Sequence, residues 1–363
     1  MSEVLQAALE CFAGRRMAQG DPMRHRFAVL PSRNEPRYLL PLGDSRTTLE
    51  GLRGYTPYVL GARVRKTLLA QVVRMGWRGW AGHSLYAGEP LGLKALVTAV
   101  TGERNPAFAI VLGGPGKYRK LTLQVMRPRG ETLGYIKLGL TKWADGRVRH
   151  EARALEELSR LRPQVSRVLY AGDWQNRYML FQSPLEGRPG SIELSGMHVA
   201  FLEKLAAVRR LDKPGVRVVE EVGARWHEVS WRCDWRAKQL GSAALAAAQL
   251  DLEGVTVPCG YWHGDFTPWN TRVRDGSLAV FDWESCEDGA PLGWDTFHFS
   301  MQVARLRKER WRGKFDLGLT PGVRGLFLLY LLVSLGKLLD EGADANPALE
   351  YGKQQLMTEL AVE

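Results

Sequence analysis

The spacing of apolar positions changes several times along the chain. Over Arg63–Met75, Val64, Leu68, Leu69, Val72 and Val73 recur at helical intervals and predict a helix. From about Ala107 the pattern shortens into apolar runs broken by turns. Phe108–Leu112, Leu121–Val125 and Leu133–Leu138 predict three strands, joined through Gly113-Gly114-Pro115-Gly116-Lys117 and Arg127-Pro128-Arg129-Gly130. Helical spacing returns over Val148–Leu161, with Ala152, Leu155, Leu158 and Leu161 on one face. Two more strands, Val168–Ala171 and Tyr178–Phe181, follow across a polar turn. Beyond Ser183-Pro184-Leu185-Glu186-Gly187 the chain reads as mostly helical. His198–Leu211, Arg236–Leu250 and Val323–Leu339 carry the helical signal, and Cys259–Trp262 and Leu278–Phe281 interrupt it as short strands.

This order predicts an α+β protein with a small antiparallel-sheet lobe, a hinge and a larger, mainly helical lobe. The expected divisions are 1–104 as an N-terminal extension or small accessory domain, 105–183 as the small lobe and 184–363 as the helical lobe. Residues 1–100 are the least legible. Arg37–Leu42 predicts a short strand, and Trp77, Trp80 and Tyr86 stand among glycines, where aromatics either anchor an extension or stack on a sugar or base.

Composition narrows the class. The 45% hydrophobic and 25% charged content is that of an ordinary globular protein. Four scattered cysteines form no CxxC pair, which argues against zinc and a disulfide framework and for a reducing, cytoplasmic setting. The start of the chain lacks the basic-then-apolar order of a signal peptide. Leu326–Leu335, the most apolar run, falls short of the ~20 residues a membrane span takes. The net charge is +11, and residues 1–100 hold fourteen Lys/Arg against seven Asp/Glu. Such a surplus is a solvated face or a contact with something anionic: an acidic substrate, a membrane surface or nucleic acid. No nucleic-acid module signature accompanies it, which places nucleic acid last.

The chemistry is concentrated in His263-Gly264-Asp265-Phe266-Thr267-Pro268-Trp269-Asn270 and Phe281-Asp282-Trp283-Glu284. Phosphoryl transfer from a nucleotide requires a carboxylate to orient and deprotonate the attacking hydroxyl, and oxygen donors for the magnesium that neutralises the phosphates. Asp265 suits the first task; Asn270 and Asp282 suit the second. His263 reads as an orienting residue, Phe266 and Trp269 as packing that holds the loop shut. Glu284, on the same face of an extended segment as Asp282, reads as a metal or substrate contact or a surface ion pair. Asp295, downstream, is expected to cap a helix and brace the loop. Upstream, Lys137 in an apolar strand needs an anionic partner, and Glu151 on the next helix is the candidate. Gly113, Gly114 and Gly116 bring backbone N–H groups close to phosphates or simply turn a hairpin. Gln182 to Leu185 follow the last small-lobe strand, the hinge position where a nucleotide base meets backbone.

The wording of these motifs resembles the aminoglycoside phosphotransferase and choline kinase-like family over about residues 105–340. The resemblance implies a protein kinase-like two-lobe fold and transfer of the ATP γ-phosphate to a hydroxyl of a small molecule. It implies Asp265 as base, Asn270 and Asp282 as Mg²⁺ ligands, and Lys137 and Glu151 as the phosphate-positioning pair. The leading expectation is an ATP- and Mg²⁺-dependent kinase of a sugar, glycoconjugate precursor or amino alcohol. Two alternatives stand beside it: a kinase-fold enzyme that acts on a protein or transfers another part of the nucleotide, and a catalytically silent module with a basic docking surface. The acceptor, the oligomeric state and the task of residues 1–100 stay open.

Overall fold

A computed structural model describes residues 3–14, 23–32, 34–55, 57, 60–76, 84–309, 311, 322–342 and 347–361. The chain divides into two compact units, Met1–Leu185 and Glu186–Glu363. Trp77 and Trp80 lie outside the described residues.

The first unit runs α1 (Glu3–Ala13), β1 (Met23–Pro31), β2 (Pro36–Pro41), α2 (Ser45–Arg53), α3 (Leu60–Arg74), β3 (Ser84–Gly88), α4 (Leu91–Thr101), β4 (Ala107–Leu112), β5 (Lys120–Met126), β6 (Thr132–Gly139), α5 (Lys142–Glu157), β7 (Val168–Trp174) and β8 (Arg177–Gln182). Among the described residues its strands form one eight-stranded sheet in the order β3-β1-β2-β4-β5-β6-β8-β7. Residues 1–104, expected as an extension or accessory domain, therefore supply three strands of the same sheet. The period of two along each strand sends alternate side chains to opposite faces. Phe108, Ile110, Leu121, Leu123, Ile136 and Phe181 share one buried core with Leu5, Phe12, Leu93 and Val97 of α1 and α4. Ala109 and Met126 belong to another core, with Leu52 of α2 and Val73 of α3.

The expected helix at Val148–Leu161 begins six residues earlier, at Lys142, because the Thr141 hydroxyl caps it by accepting from Ala144 N at 3.1 Å. Its expected last turn, Leu158–Leu161, is a 3-10 helix. Tyr86 sits in β3, 47% exposed, beneath the Arg26 guanidinium.

The second unit runs β9 (Arg188–Pro189), α6 (Gly196–Ala206), β10 (Leu211–Pro214), α7 (Gly215–Ser230), α8 (Trp235–Asp251), β11 (Thr256–Trp262), β12 (Thr271–Arg274), β13 (Ser277–Val280), β14 (Glu287–Pro291), α9 (Trp294–Arg307), α10 (Val323–Asp340) and α11 (Pro347–Leu360). Two small sheets, β10-β11-β14 and β13-β12-β9, hold the loops that carry the motif. Helix α10 is apolar nearly all round, as a helix must be when others enclose it. It packs against α7, α8, α9 and α11. Helix α6 ends at Ala206 and not at Leu211, because Leu211 pairs with Cys259 in β10–β11. Among the described residues no helix is long and apolar enough to cross a membrane. None of the four cysteines is in a disulfide, and burial pushes the Cys11 and Cys259 thiols up to about 11.

Candidate active site

In the first unit, Lys137 of β6 points from the sheet toward α5. Its Nζ meets Glu151 Oε1 at 2.5 Å and Oε2 at 2.7 Å, and the two residues are 4% and 0% exposed. Two full charges taken out of water are tolerable only when each answers the other with good geometry. The sequence-based pairing of a strand lysine with a helix glutamate is thus present in space.

The glycine-rich connection is the β4–β5 turn. Gly116 holds φ +134°, a backbone conformation that L side chains rarely adopt. Gly113 differs from its expected use: its N–H donates to Lys120 O at 2.9 Å, so that donor is committed to the hairpin and is closed to a phosphate. Gly114 and Gly116 remain in the turn. Gln182 ends β8, buried, with its Oε1 lacking a hydrogen-bond partner; Leu185 is half-buried just beyond. Ser183 between them donates its N–H to Arg167 O at 2.8 Å.

In the second unit the motif folds into two loops bound to each other. The first leaves β11 at His263, turns through Gly264 and Asp265, and ends in a 3-10 turn at Pro268–Asn270. The second follows β13 through Phe281 and Asp282 into a 3-10 turn at Trp283–Ser285. The expected extended segment is therefore absent: Asp282 is left-handed (φ +71°, ψ +59°) and Glu284 lies on a turn. A non-glycine residue there is strained and persists only where its surroundings over-determine it.

His263 joins the loops. Its Nδ1 accepts from Asp265 N at 3.2 Å, so Nε2 carries the proton and donates to Phe281 O at 3.1 Å. Full burial pushes its pKa down to about 4, which keeps the ring neutral and this tautomer in place. Gly264 makes the joint possible. Its φ is +79°, and a Cβ there would stand 2.2 Å from Ser285 O. Beneath the loop, Phe266 is fully buried, parallel to Phe201 and edge-on to His198. Trp269 is half-buried.

Asp295 braces the loop as expected, accepting from His263 N at 2.9 Å and Gly264 N at 3.2 Å. It does not cap its helix: Gly293 is the N-cap of α9, and Asp295 lies inside the first turn. Burial pushes its carboxyl up to about 7 against the pull of those two N–H groups.

The side chain of Asp265 is 40% exposed, and each of its oxygens has a named donor. Asn270 Nδ2 donates to Oδ2 at 2.9 Å and to the Asp265 carbonyl at 2.9 Å. His298 Nε2 lies 3.1 Å from Oδ1, and its Nδ1 lies 3.0 Å from the Tyr330 hydroxyl. Since a carboxylate only accepts, Nε2 carries the hydrogen of its contact with Asp265. Burial pushes the Tyr330 phenol well up, so it keeps its proton. Sequence reasoning missed His298 and Tyr330. His298 reaches Asp265 from α9 and Tyr330 reaches His298 from α10, 33 and 65 positions downstream of Asp265, with no local motif to mark them.

Asp265, His298 and Tyr330 line a cavity of about 300 Å³, with Glu284, Gln302 and Lys337 on its wall. The Oε1 of Gln302 and the Nε1 of Trp262 there are buried without hydrogen-bond partners. A cavity walled by such groups suits a ligand rich in hydroxyls.

The donor set also fits a hard cation. With its Nδ2 committed to Asp265, Asn270 has only Oδ1 to offer a metal, and Asp282 offers a carboxylate. Magnesium takes few protein oxygens and keeps phosphate and water as its other ligands.

A model of the phosphotransferase enzyme family matches residues 124–314. Among solved structures the chain is similar to a thermostable mutant of aminoglycoside phosphotransferase APH(4)-Ia in its apo form. Identity is 15% over 74% of this chain and 98% of that one, with a TM-score of 0.52. It is also similar to a ternary complex of such a mutant with AMP-PNP and hygromycin B, at 15% identity over 74% and 98% of the two chains and a TM-score of 0.53. At this identity the likeness is one of fold: α+β, of the protein kinase-like type. No curated protein sequence matches the chain.

Proposed function

The chain belongs to the phosphotransferase enzyme family, and from that premise we propose that it transfers the γ-phosphate of ATP to a hydroxyl of a small molecule. A sugar, a glycoconjugate precursor or an amino alcohol is the acceptor class. The observation that carries this reading is the Asp265 carboxylate, fixed by Asn270 and His298 and exposed at the edge of a polar cavity.

Asp265 receives the hydrogen bond of the acceptor hydroxyl and takes its proton as the new O–P bond forms and the bond to the departing ADP oxygen breaks. Asn270 and His298 limit its rotation, so the free lone pairs keep one direction. Asn270 Oδ1 and the Asp282 carboxylate would hold magnesium, which when bound neutralises phosphate charge. In the first unit, Lys137 binds nucleotide phosphate oxygens and Glu151 fixes its ammonium. Backbone at Gly114 and Gly116 approaches phosphates, and Gln182 and Leu185 flank the base. The fold-level likeness to an enzyme crystallised with AMP-PNP and hygromycin B supports a nucleotide together with a hydroxylated small molecule. A silent binding module has no need for Asp265, Asn270, Asp282 and the Lys137–Glu151 pair together.

The test is ADP release from ATP over a panel of sugars and amino alcohols, on wild type and Asp265→Asn. Wild type should release ADP with at least one acceptor. The variant should turn over roughly a thousandfold more slowly, the scale of one lost catalytic group. Equal rates would remove Asp265 from the role of base.

A further inference from the structure

Helix α3 carries an apolar ridge that the fold leaves in water. Its inner side, with Leu69, Ala70 and Val73, packs into the core shared with α2. Its outer side presents Leu60 (73% exposed), Val64 (50%) and Leu68 (61%), with Met75 (74%) just past its end. The first three are spaced i, i+4, i+8, so at about 100° per residue they fall within roughly 80° of one another. On the same count the ridge lies opposite Leu69 and Val73. Arg63 and Arg74 flank it on one side and Arg65 on the other, all three exposed. Lys66 lies on the inner side and donates to Tyr55 O. The sequence of α3, LGARVRKTLLAQVVR, contains no acidic residue.

An apolar ridge of this kind and its cations ask for two different surroundings at once. The leucines and valine gain only in a nonpolar medium, and the arginines gain only beside anions. An anionic bilayer offers both within one layer: acyl chains just below, phosphates at the level of the guanidinium groups. A nucleic-acid backbone supplies the anions but leaves the ridge in water. We propose that α3 is a membrane-docking helix that lies in the interface of an anionic lipid bilayer, with Leu60, Val64 and Leu68 toward the acyl chains. This surface is independent of the phosphotransfer reading, which uses none of these residues.

The test is co-sedimentation of the full chain with large unilamellar vesicles. One set is phosphatidylcholine with about one-third phosphatidylglycerol, the other phosphatidylcholine alone, since charge should set the preference. The chain should pellet with the anionic vesicles and be released as salt rises. Replacing Leu60, Val64 and Leu68 together by Gln should lower partitioning roughly tenfold or more. Arg63→Gln and Arg65→Gln should each lower it about fivefold. All five positions are exposed, so unchanged melting of each variant separates lost docking from lost folding. No pelleting with anionic vesicles overturns the proposal, as does undiminished pelleting of the triple variant. Equal pelleting with neutral vesicles overturns the choice of an anionic surface. Retention on duplex DNA but not on vesicles would assign the cations to nucleic acid and overturn it too.

Discussion

The two units hold their polar centres by opposite means. In the first, charge answers charge: Lys137 and Glu151 are both buried and meet through two contacts. In the second, dipoles answer charge: the named partners of Asp265 are an amide and an imidazole, and those of Asp295 are two backbone N–H groups. An ion pair cancels its own field and serves as a fixed strut. A carboxylate held by single hydrogen-bond donors, as Asp265 is at the cavity edge, keeps a free lone pair. That difference separates a group that positions from one that can accept a proton, and it makes the two centres respond differently to substitution.

The comparison breaks most sharply at the ion pair. Lys137→Met leaves Glu151 buried and uncompensated, so it should destabilise the fold by roughly 3–5 kcal/mol in denaturant titrations. The double variant Lys137→Met, Glu151→Leu should recover much of that stability and none of the activity. If the single variant is neutral, the pair is not the strut described here. At the loops the corresponding weak point is backbone, not charge. Gly264→Ala must place a Cβ against Ser285 O at a positive φ. It should cost about 2–4 kcal/mol in thermal or chemical unfolding, and a wild-type unfolding curve would show that the two loops are not locked at Gly264.

In the wild type the smallest net effect is in the pH dependence of the dipole-held groups, where two opposing slopes offset each other. His263 has a folded pKa near 4 against an ordinary 6.5, so its stability is complete above 6.5 and is lost as pH falls toward 4. Asp295 has a folded pKa near 7 against 3.8, so its stability is complete below 3.8 and is lost as pH rises toward 7. Between about 4 and 6.5 the slopes oppose, each at most about 1.4 kcal/mol per pH unit. Melting across this window should show Asp295→Asn losing stability on acidification and His263→Gln losing it as pH rises. Parallel curves for both variants would contradict the assignment.

How much of this was legible depended on whether the cause was local. The Asp265–Asn270–Asp282 spacing is fixed by a loop and a hairpin, so the sequence carries it intact. Strands β4 to β6 were visible because each combines a short apolar run with turn residues. Lys137 stood out because an ammonium in an apolar strand demands an anion. The left-handed Asp282 was not visible, since an aspartate tolerates that conformation without requiring it. A helix was expected at Asp295, but the body of α9 is buried on several sides, which erases the one-faced pattern, and His298 was lost with it. Helix α7 did carry a signal, Val218, Val222 and Trp226 at i, i+4, i+8. Strands β1 and β3 took their places only through pairing across the sheet, which is tertiary information. The ridge on α3 contributed apolar residues to the expected helix, but only the structure separates those that face the core from those that face water.

The central claim is a nucleotide site that uses Asp282 for its metal and Asp265 for chemistry. A thermal shift with ATP, with and without Mg²⁺, on wild type, Asp265→Asn and Asp282→Ala tests it most directly. At a hundredfold excess over Kd, binding should add about 2.7 kcal/mol of stability. The account predicts a Mg²⁺-dependent rise in Tm for wild type and Asp265→Asn that disappears in Asp282→Ala. No rise with nucleotide in the wild type, or an undiminished Mg²⁺-dependent rise in Asp282→Ala, would contradict it.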